Sequence, residues 1–473
     1  MSKAKELNRR DFLGGSTAGL AALGGLGLLA RPQSVLGAND RVRVAICGLH
    51  GRGMDHVHNY SKLDNVQIAA VCDIDENVTR ERVAQMEKMG IPKPATYVDV
   101  RKLLEDKSID AISIATPNHW HSLMAIWACQ AGKDVYVEKP CTHNIFEGKQ
   151  LVAASNRYKR MVQHGTQCRS DLAMREAVQK LHDGAIGDLY MARGLCYKWR
   201  DTIGRTPVSP VPEGVDYDLW TGPAPKHEFT KNRFHYNWHW FWYYGNGDLG
   251  NQGVHQLDVA RWGMGLGFPN KVSAIGGHFM FDDDQETPNT LSCSFEYDLP
   301  EGKRRMITFE VRHWITNHEA EIGTPALGTP ERKAAPGKPK LGPMAGSHNS
   351  VGDIFYGSKG YLSTGDEDAA TYKIWLGRDQ EPQPAVTKGN ERAHFQNFIE
   401  CVQSRKKEDL HAPAEEGHIS CAMMHLANAS YRLGRTLNFN PDTQEVIGDE
   451  EAARLLRDGD RGYRQPFVVP EEV

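Results

Sequence analysis

Between residues 41 and 165 the chain alternates short apolar runs with segments of helical length, and this alternation constrains the fold more than any other feature. Residues 42–47, 66–72, 109–115 and 134–137 read as strands nearly continuous in apolar side chains, as strands buried on both sheet faces must be. Residues 55–63, 76–89, 119–131 and 144–158 are each long enough for two or more helical turns. Strands joined through helices pair parallel, because each crossover returns the chain to the same end of the sheet. The pattern predicts a doubly wound parallel α/β domain over 41–165. Beyond it the rhythm changes, and 189–197, 271–281, 290–297 and 306–311 read as longer strands with no crossover pattern. A second domain is predicted over 166–473, a large, mostly antiparallel sheet with helices that include 394–404 and 417–433. Residues 324–346, crowded with Pro, Gly, Lys and Ala, read as a long exposed loop.

At 473 residues the chain exceeds what one core usually organises, in keeping with two domains. Its net charge of −4 comes without a basic stripe interleaved with aromatics, so nucleic acid is not an expected partner. The nine cysteines are odd in number and scattered, with no C-x-x-C pair, which argues against both a disulfide framework and a structural zinc site. Cys47 and Cys72, inside apolar runs, read as buried small hydrophobes. Residues 1–38 differ in kind: Asn8-Arg9-Arg10-Asp11-Phe12-Leu13 precedes a Gly- and Ala-rich apolar stretch at 14–30, then Leu36-Gly37-Ala38. That order reads as a secretory signal of the twin-arginine type. The glycines leave the stretch weakly hydrophobic for an anchor, and no integral membrane domain is expected. Export to the periplasm by the twin-arginine machinery suits a protein that folds around its cofactor before crossing.

At the end of the first strand stands Gly48-Leu49-His50-Gly51-Arg52-Gly53. A strand-to-helix turn of the form G-x-G-x-x-G holds a dinucleotide: the first glycine makes the tight turn, the second admits the pyrophosphate, and the third packs helix on strand. Gly48 and Gly53 fill the first and third places, and His50 takes the second. Asp73, closing the second strand, stands where a carboxylate takes the ribose hydroxyls. It repels a 2′-phosphate and so favours NAD over NADP, while Arg52 would pull the other way. Two further stretches, Ala115-Thr116-Pro117-Asn118-His119-Trp120-His121 and Val137-Glu138-Lys139-Pro140, also follow strands, at the end where such sheets bind ligands.

With these motifs the chain resembles the glucose-fructose oxidoreductase / inositol dehydrogenase / MocA family of NAD(P)-dependent enzymes over essentially everything after Ala38. Asp216-Tyr217-Asp218-Leu219-Trp220-Thr221-Gly222-Pro223-Ala224-Pro225 and Arg461-Gly462-Tyr463-Arg464-Gln465-Pro466 look like its signal-bearing bacterial branch. The resemblance implies a cofactor site formed by Gly48, Leu49, His50, Gly51, Arg52, Gly53, Asp73, Thr116, Pro117, Asn118, His121, Glu138, Lys139 and Gln167, holding NAD or NADP tightly. It places Lys139 near nicotinamide and substrate, makes Pro140 a cis proline, and implies a homodimer or homotetramer formed through the second sheet.

A third block, Gly245-Asn246-Gly247-Asp248-Leu249-Gly250-Asn251-Gln252-Gly253-Val254-His255-Gln256-Leu257-Asp258-Val259-Ala260-Arg261-Trp262, bears on the chemistry. Inositol dehydrogenases of the family carry an acid, a histidine four residues on and an aspartate three further, in the context H-x-x-D-x-x-R-W. His255, Asp258, Arg261 and Trp262 match, and Asn251 stands in place of the acid. On a helix Asn251, His255 and Asp258 share one face, so all three are expected at the site. Oxidising a secondary alcohol sends a hydride to the nicotinamide and a proton to a base, a task histidine performs near neutral pH. His255 is the expected base, Lys139 the group that stabilises the alkoxide, and Asn251 an amide that orients a hydroxyl or the imidazole.

Upstream, Phe234-His235-Tyr236-Asn237-Trp238-His239-Trp240-Phe241-Trp242-Tyr243-Tyr244 offers aromatic faces to a sugar ring. Substrate contacts are expected from Lys139, Trp240, Asn251, His255 and Asp258. His235 and His239 have the spacing of a metal pair, yet no carboxylate of a metal motif accompanies them, and no metal is expected. The expected activity is hydride transfer between a nicotinamide cofactor and a secondary alcohol of a sugar, sugar derivative or polyol such as a cyclitol. Two other readings stand beside it: a glycosidase that uses NAD for transient oxidation and elimination, and a catalytically inactive dinucleotide- or sugar-binding protein.

Overall fold

The computed structural model describes residues 41–314, 317–327, 349–365, 371–387, 392–459 and 462–473. The expected signal segment and most of the expected 324–346 loop lie outside the described residues. Strands β1 (Val42–Cys47), β2 (Val66–Cys72), β3 (Ala95–Tyr97), β4 (Ala111–Ile114), β5 (Asp134–Val137) and β6 (Val162–His164) form one parallel sheet in the order β3-β2-β1-β4-β5-β6. The order reverses between β1 and β4, which opens a crevice at the carboxyl ends of those strands. The helices are α1 (Arg52–Tyr60), α2 (Glu76–Lys88), α3 (Val100–Glu105), α4 (Asn118–Gln130) and α5 (Ile145–Arg157). Asp75, Asp99 and Asn144 cap α2, α3 and α5 by accepting from backbone N–H groups of the first turn, donors that a helix start otherwise leaves unpaired.

The second part begins with α6 (Leu172–His182), β7 (Leu189–Lys198) and the short helix α7 (Tyr217–Thr221). It continues through α8 (Val254–Met264), β8 (Lys271–Gly277), β9 (Thr290–Asp298), β10 (Arg304–His313), β11 (Asn349–Gly357), β12 (Gly360–Thr364) and β13 (Thr371–Leu376). It closes with β14 (Glu381–Pro382), β15 (Val386–Thr387), α9 (Arg392–Ser404), α10 (Ala414–Leu433), β16 (Leu437–Asn440), β17 (Glu445–Val446) and α11 (Glu450–Asp458). Among the described residues the strands form an eleven-stranded sheet ordered β14-β13-β12-β11-β7-β10-β9-β8-β16-β17, with β15 paired to β13. β7 and β10 run parallel, and the other neighbouring pairs are antiparallel.

Helices α8 and α10 cover one face of this sheet, burying Phe295, Phe309 and Phe355 completely, each worth about 1.5–3 kcal/mol of transfer free energy. Helix α9 returns to the first sheet, where Phe395 and Phe398 join Val44, Ile46 and Tyr136 in one core. The Phe395 and Tyr136 rings stack with centroids 4.7 Å apart. Late residues therefore complete the core of the first domain, and Asp40–Val473 holds together as one unit. Among the described residues no helix is long and apolar enough to cross a membrane.

Candidate functional site

A cavity of about 460 Å³ opens at the carboxyl ends of β1, β4 and β5, facing the aromatic segment that precedes α8. Its floor is the glycine turn. Gly48 has φ +87°, and a Cβ there would stand 2.7 Å from the Ala115 carbonyl oxygen. At Gly53 a Cβ would overlap the Gly48 carbonyl oxygen at 1.8 Å. Both positions exclude a side chain, as the first and third glycines of the motif should. His50, in the second place, is accommodated differently: its ring stacks on His235 at 4.0 Å with 15° between planes. Burial and the neighbouring His50 lower the His235 pKa to about 4 although Asp75 opposes the shift, so this roof over the turn carries an uncharged His235 at neutral pH.

Asp73 lines the same cavity, but its carboxylate also braces the turn, accepting from the Leu49 N–H at 2.7 Å and the Asp75 N–H at 3.0 Å. Burial raises its pKa against the pull of these two bonds. Arg52 is directed toward acids: its Nε donates to Glu138 Oε1 at 2.9 Å and its Nη1 lies 3.5 Å from Asp55. Glu138 also meets His56 Nε2 at 3.1 Å and the amide of Gln167 at 3.2 Å. Burial alone would raise the Glu138 pKa, yet Arg52 and His56 hold it well below the usual carboxylate range. His121 ties two loops together, its ring nitrogens 2.7 Å from the Pro140 carbonyl and 2.6 Å from that of Thr116.

These residues suit a dinucleotide. Thr116 Oγ1 and Asn118 Nδ2 are buried polar atoms of the cavity wall without a hydrogen-bond partner, a costly state unless a ligand satisfies them. Gly51, the residue before helix α1, gives it no side-chain cap, leaving its first N–H groups for an anion. Every residue expected to hold the cofactor lines the cavity except Gly53, which packs α1 against β1.

At the other end of the cavity stand Lys139, Asn251, His255 and His239. The Lys139–Pro140 peptide is cis, and Lys139 Nζ donates to the backbone carbonyl of Asn251. Asn251 lies in a π-helical turn, Leu249–Gly253, that leads into α8; its amide donates to Asp248 Oδ1 at 3.1 Å. Asp248 is buried and bound by Arg200 through Nε (2.8 Å) and Nη2 (3.0 Å), and by His313. Burial would raise its pKa, but Arg200 and His313 hold it well below the usual range. An acid thus stands behind Asn251, supplied by the chain three residues earlier.

Two expected substrate contacts do not line the cavity. Asp258 is captured by Arg169, which donates through Nε (2.7 Å) and Nη2 (2.9 Å), and by Ser420 Oγ at 2.6 Å. Its helix carries His255 into the cavity while Asp258 is spent on this pair. Trp240 packs beneath the Arg200 guanidinium at 4.9 Å and against His313, and Trp238 and His239 line the cavity in its place. Asp248, Arg200, His313 and His56 escaped the sequence reading. Only Asp248, inside the Gly245–Trp262 block, had a signal that could have found it.

Fold and cavity define a dinucleotide-binding α/β protein with an appended sheet domain, and the comparisons give its relations. The description "Oxidoreductase family, NAD-binding Rossmann fold" matches residues 42–166, and "Oxidoreductase family, C-terminal alpha/beta domain" matches 189–273 and 382–467. The chain belongs to this family, the glucose-fructose oxidoreductase / inositol dehydrogenase / MocA oxidoreductases. Among curated proteins, a glycosyl hydrolase family 109 protein of Shewanella pealeana is 34% identical over 208 residues, 39% of this chain and 44% of that protein. Another from Saccharopolyspora erythraea is 29% identical over 212 residues, 41% of this chain and 46% of that protein. The match thus spans less than half the length of these relatives. Among solved structures, the aldose-aldose oxidoreductase from Caulobacter crescentus complexed with glycerol is 18% identical, with TM-score 0.60 over 84% of this chain and 100% of that one. The WlbA dehydrogenase from Bordetella pertussis, in complex with NADH and UDP-GlcNAcA, is 17% identical, with TM-score 0.59 over 85% of this chain and 99% of that one. These two likenesses are of fold.

Proposed function

We propose that this protein is an NAD(P)-dependent oxidoreductase acting on a secondary alcohol of a sugar, sugar derivative or cyclitol. The observation that carries the reading is a single cavity whose wall joins the dinucleotide turn to Lys139, Asn251 and His255. The nicotinamide would supply the hydride acceptor or donor; Asp73 beside the turn favours NAD over its 2′-phosphorylated form. His255 takes the hydroxyl proton during oxidation and returns it during reduction. Lys139, held by the Asn251 carbonyl, stabilises the developing alkoxide electrostatically. The His239 Nδ1 donates to the Tyr236 carbonyl at 2.5 Å, which leaves Nε2 as an acceptor. Burial, with Lys139 and Arg200 close by, lowers its pKa to about 3 against the pull of that bond. His239 is therefore a neutral acceptor for a sugar hydroxyl, and Trp238, its ring stacked on His239 at 3.6 Å, lines the cavity beside it. A panel of sugars and polyols with each cofactor tests the reading: net formation of reduced cofactor with one of them is expected, and none with any would refute it.

The similarity to a glycosyl hydrolase family 109 protein favours a second reading, a glycosidase in which the cofactor is reduced and reoxidised within one turnover. Nitrophenyl glycosides separate the two, since nitrophenol release without net cofactor reduction belongs only to the glycosidase. Export by the twin-arginine route and assembly of a homo-oligomer through the second sheet belong to the same proposal. Fractionation of the native host and light scattering of the purified protein test them.

A further inference from the structure

We propose that Cys141, His164 and Cys421 form a buried zinc site, separate from the dinucleotide cavity, that clamps the segment after Lys139-Pro140 to helix α10. Cys141 follows the cis proline, His164 closes β6, and Cys421 lies in α10. All three are fully buried. The Sγ atoms of Cys141 and Cys421 are 3.8 Å apart, and Cys421 Sγ is 3.9 Å from His164 Nε2. All three donor atoms fall within 4.8 Å of one another. With metal–sulfur bonds of about 2.3 Å and metal–nitrogen bonds of about 2.0–2.1 Å, a four- or three-coordinate ion needs donor atoms about 3.6–4.0 Å apart. The two measured separations meet that requirement, and none of the three residues lines the dinucleotide cavity.

The surroundings are built for the imidazole. Gly417, one turn before Cys421 on α10, is where a Cβ would stand 2.8 Å from His164 Cγ, so the helix approaches the ring at a glycine. His164 Nδ1 faces Thr166 Oγ1 at 3.4 Å, which leaves Nε2 toward the sulfurs, the usual outer-shell arrangement of a ligating histidine. His425 follows Cys421 on the same helix face, its Nε2 2.9 Å from Thr142 Oγ1. Charge selects the ion. Two thiolates and a neutral imidazole neutralise a divalent cation, whereas a monovalent one would leave a net negative charge in a fully buried place, which is strongly unfavourable. Loading releases the two thiol protons to solvent and changes no oxidation state. Sequence spacing could not reveal this site, because its donors come from three separate segments.

The test uses the full-length protein, purified without chelator, with metals counted by plasma mass spectrometry and the zinc edge measured by X-ray absorption. About one zinc per chain with two sulfur neighbours at about 2.3 Å is expected. His164→Gln is expected to lose zinc affinity by at least about tenfold, and Thr166→Val, which disturbs only the orientation of the ring, by about 10-fold or more. The proposal is overturned if the reduced protein takes up no zinc from a chromophoric chelator, if it holds copper instead, if Cys141 and Cys421 are found as a disulfide, or if His164→Gln binds zinc as tightly as wild type. The wild-type measurement stands even if a variant fails to fold, and it is independent of the redox reading.

Discussion

Asp258→Asn separates a structural aspartate from a catalytic one. In the wild type the carboxylate receives two bonds from Arg169 and one from Ser420, and both members of the ion pair are buried. Burial opposes its ionisation, but Arg169 outweighs that and holds the Asp258 pKa at about 2 against an ordinary 3.8, a difference worth about 2 kcal/mol by linkage. Because the folded value lies below the unfolded one, this contribution is complete above about pH 4 and is lost as pH falls toward about 2. The asparagine also leaves Arg169 paired with Glu416 at 2.9 Å, so the total loss at neutral pH is about 2–4 kcal/mol. Urea unfolding at pH 7 and pH 3 reads it: the variant unfolds at lower denaturant at pH 7, and the gap narrows at pH 3. Turnover below the unfolding transition stays within about threefold of wild type, less than the loss of a catalytic group would cause. A variant as stable as wild type but slowed a hundredfold would refute the structural assignment.

Other outcomes follow from the same geometry. Replacing Lys139 with Met lowers kcat by about 10²–10³, as loss of a preorganised electrostatic donor does, with cofactor affinity changed little in a fluorescence titration. His255→Asn lowers kcat by about 10²–10⁴ while cofactor binding persists, and equal turnover would remove it as the base. His239→Gln raises the sugar KM and leaves the shape of the pH profile between about pH 5 and 8 unaltered, because the ring is already neutral there. Asp73→Asn relieves the repulsion of a 2′-phosphate and raises the NADP-to-NAD preference by roughly tenfold, about 1.4 kcal/mol, measured as a ratio of dissociation constants.

Much of this architecture is written locally. β1, β2 and β5 lie where apolar runs predict them, and Asn144, at the start of an expected helix, is its cap. β3 and β6 have three residues each, too few for a periodic signal. β11 escaped for another reason: it is buried along most of its length and carries Gly352 and Asp353 at its middle, so neither alternation nor propensity marks it. At the site, Gly48, Gly53, Lys139 and His255 were legible because a turn or a motif fixes them. The Arg169–Asp258 pair, the Asp248–Arg200–His313 cluster and the His50–His235 stack each join residues far apart in the chain. Such pairings arise from tertiary packing between segments distant in sequence, which no local pattern encodes. The helical face shared by Asn251, His255 and Asp258 failed for a related reason, since a π-helical turn precedes α8 and Arg169 claims the aspartate.

Everything proposed for the cavity depends on its holding a dinucleotide. Titrating the purified full-length protein with NADH and NADPH, followed by mass spectrometry of any cofactor retained through purification, measures this directly. One nicotinamide dinucleotide per chain is expected, with NADH preferred. Binding should be abolished in Gly48→Ala, where the new Cβ would press to 2.7 Å on the Ala115 carbonyl. A wild-type protein that is folded and binds neither form, or a Gly48→Ala variant that binds as wild type does, would contradict the assignment.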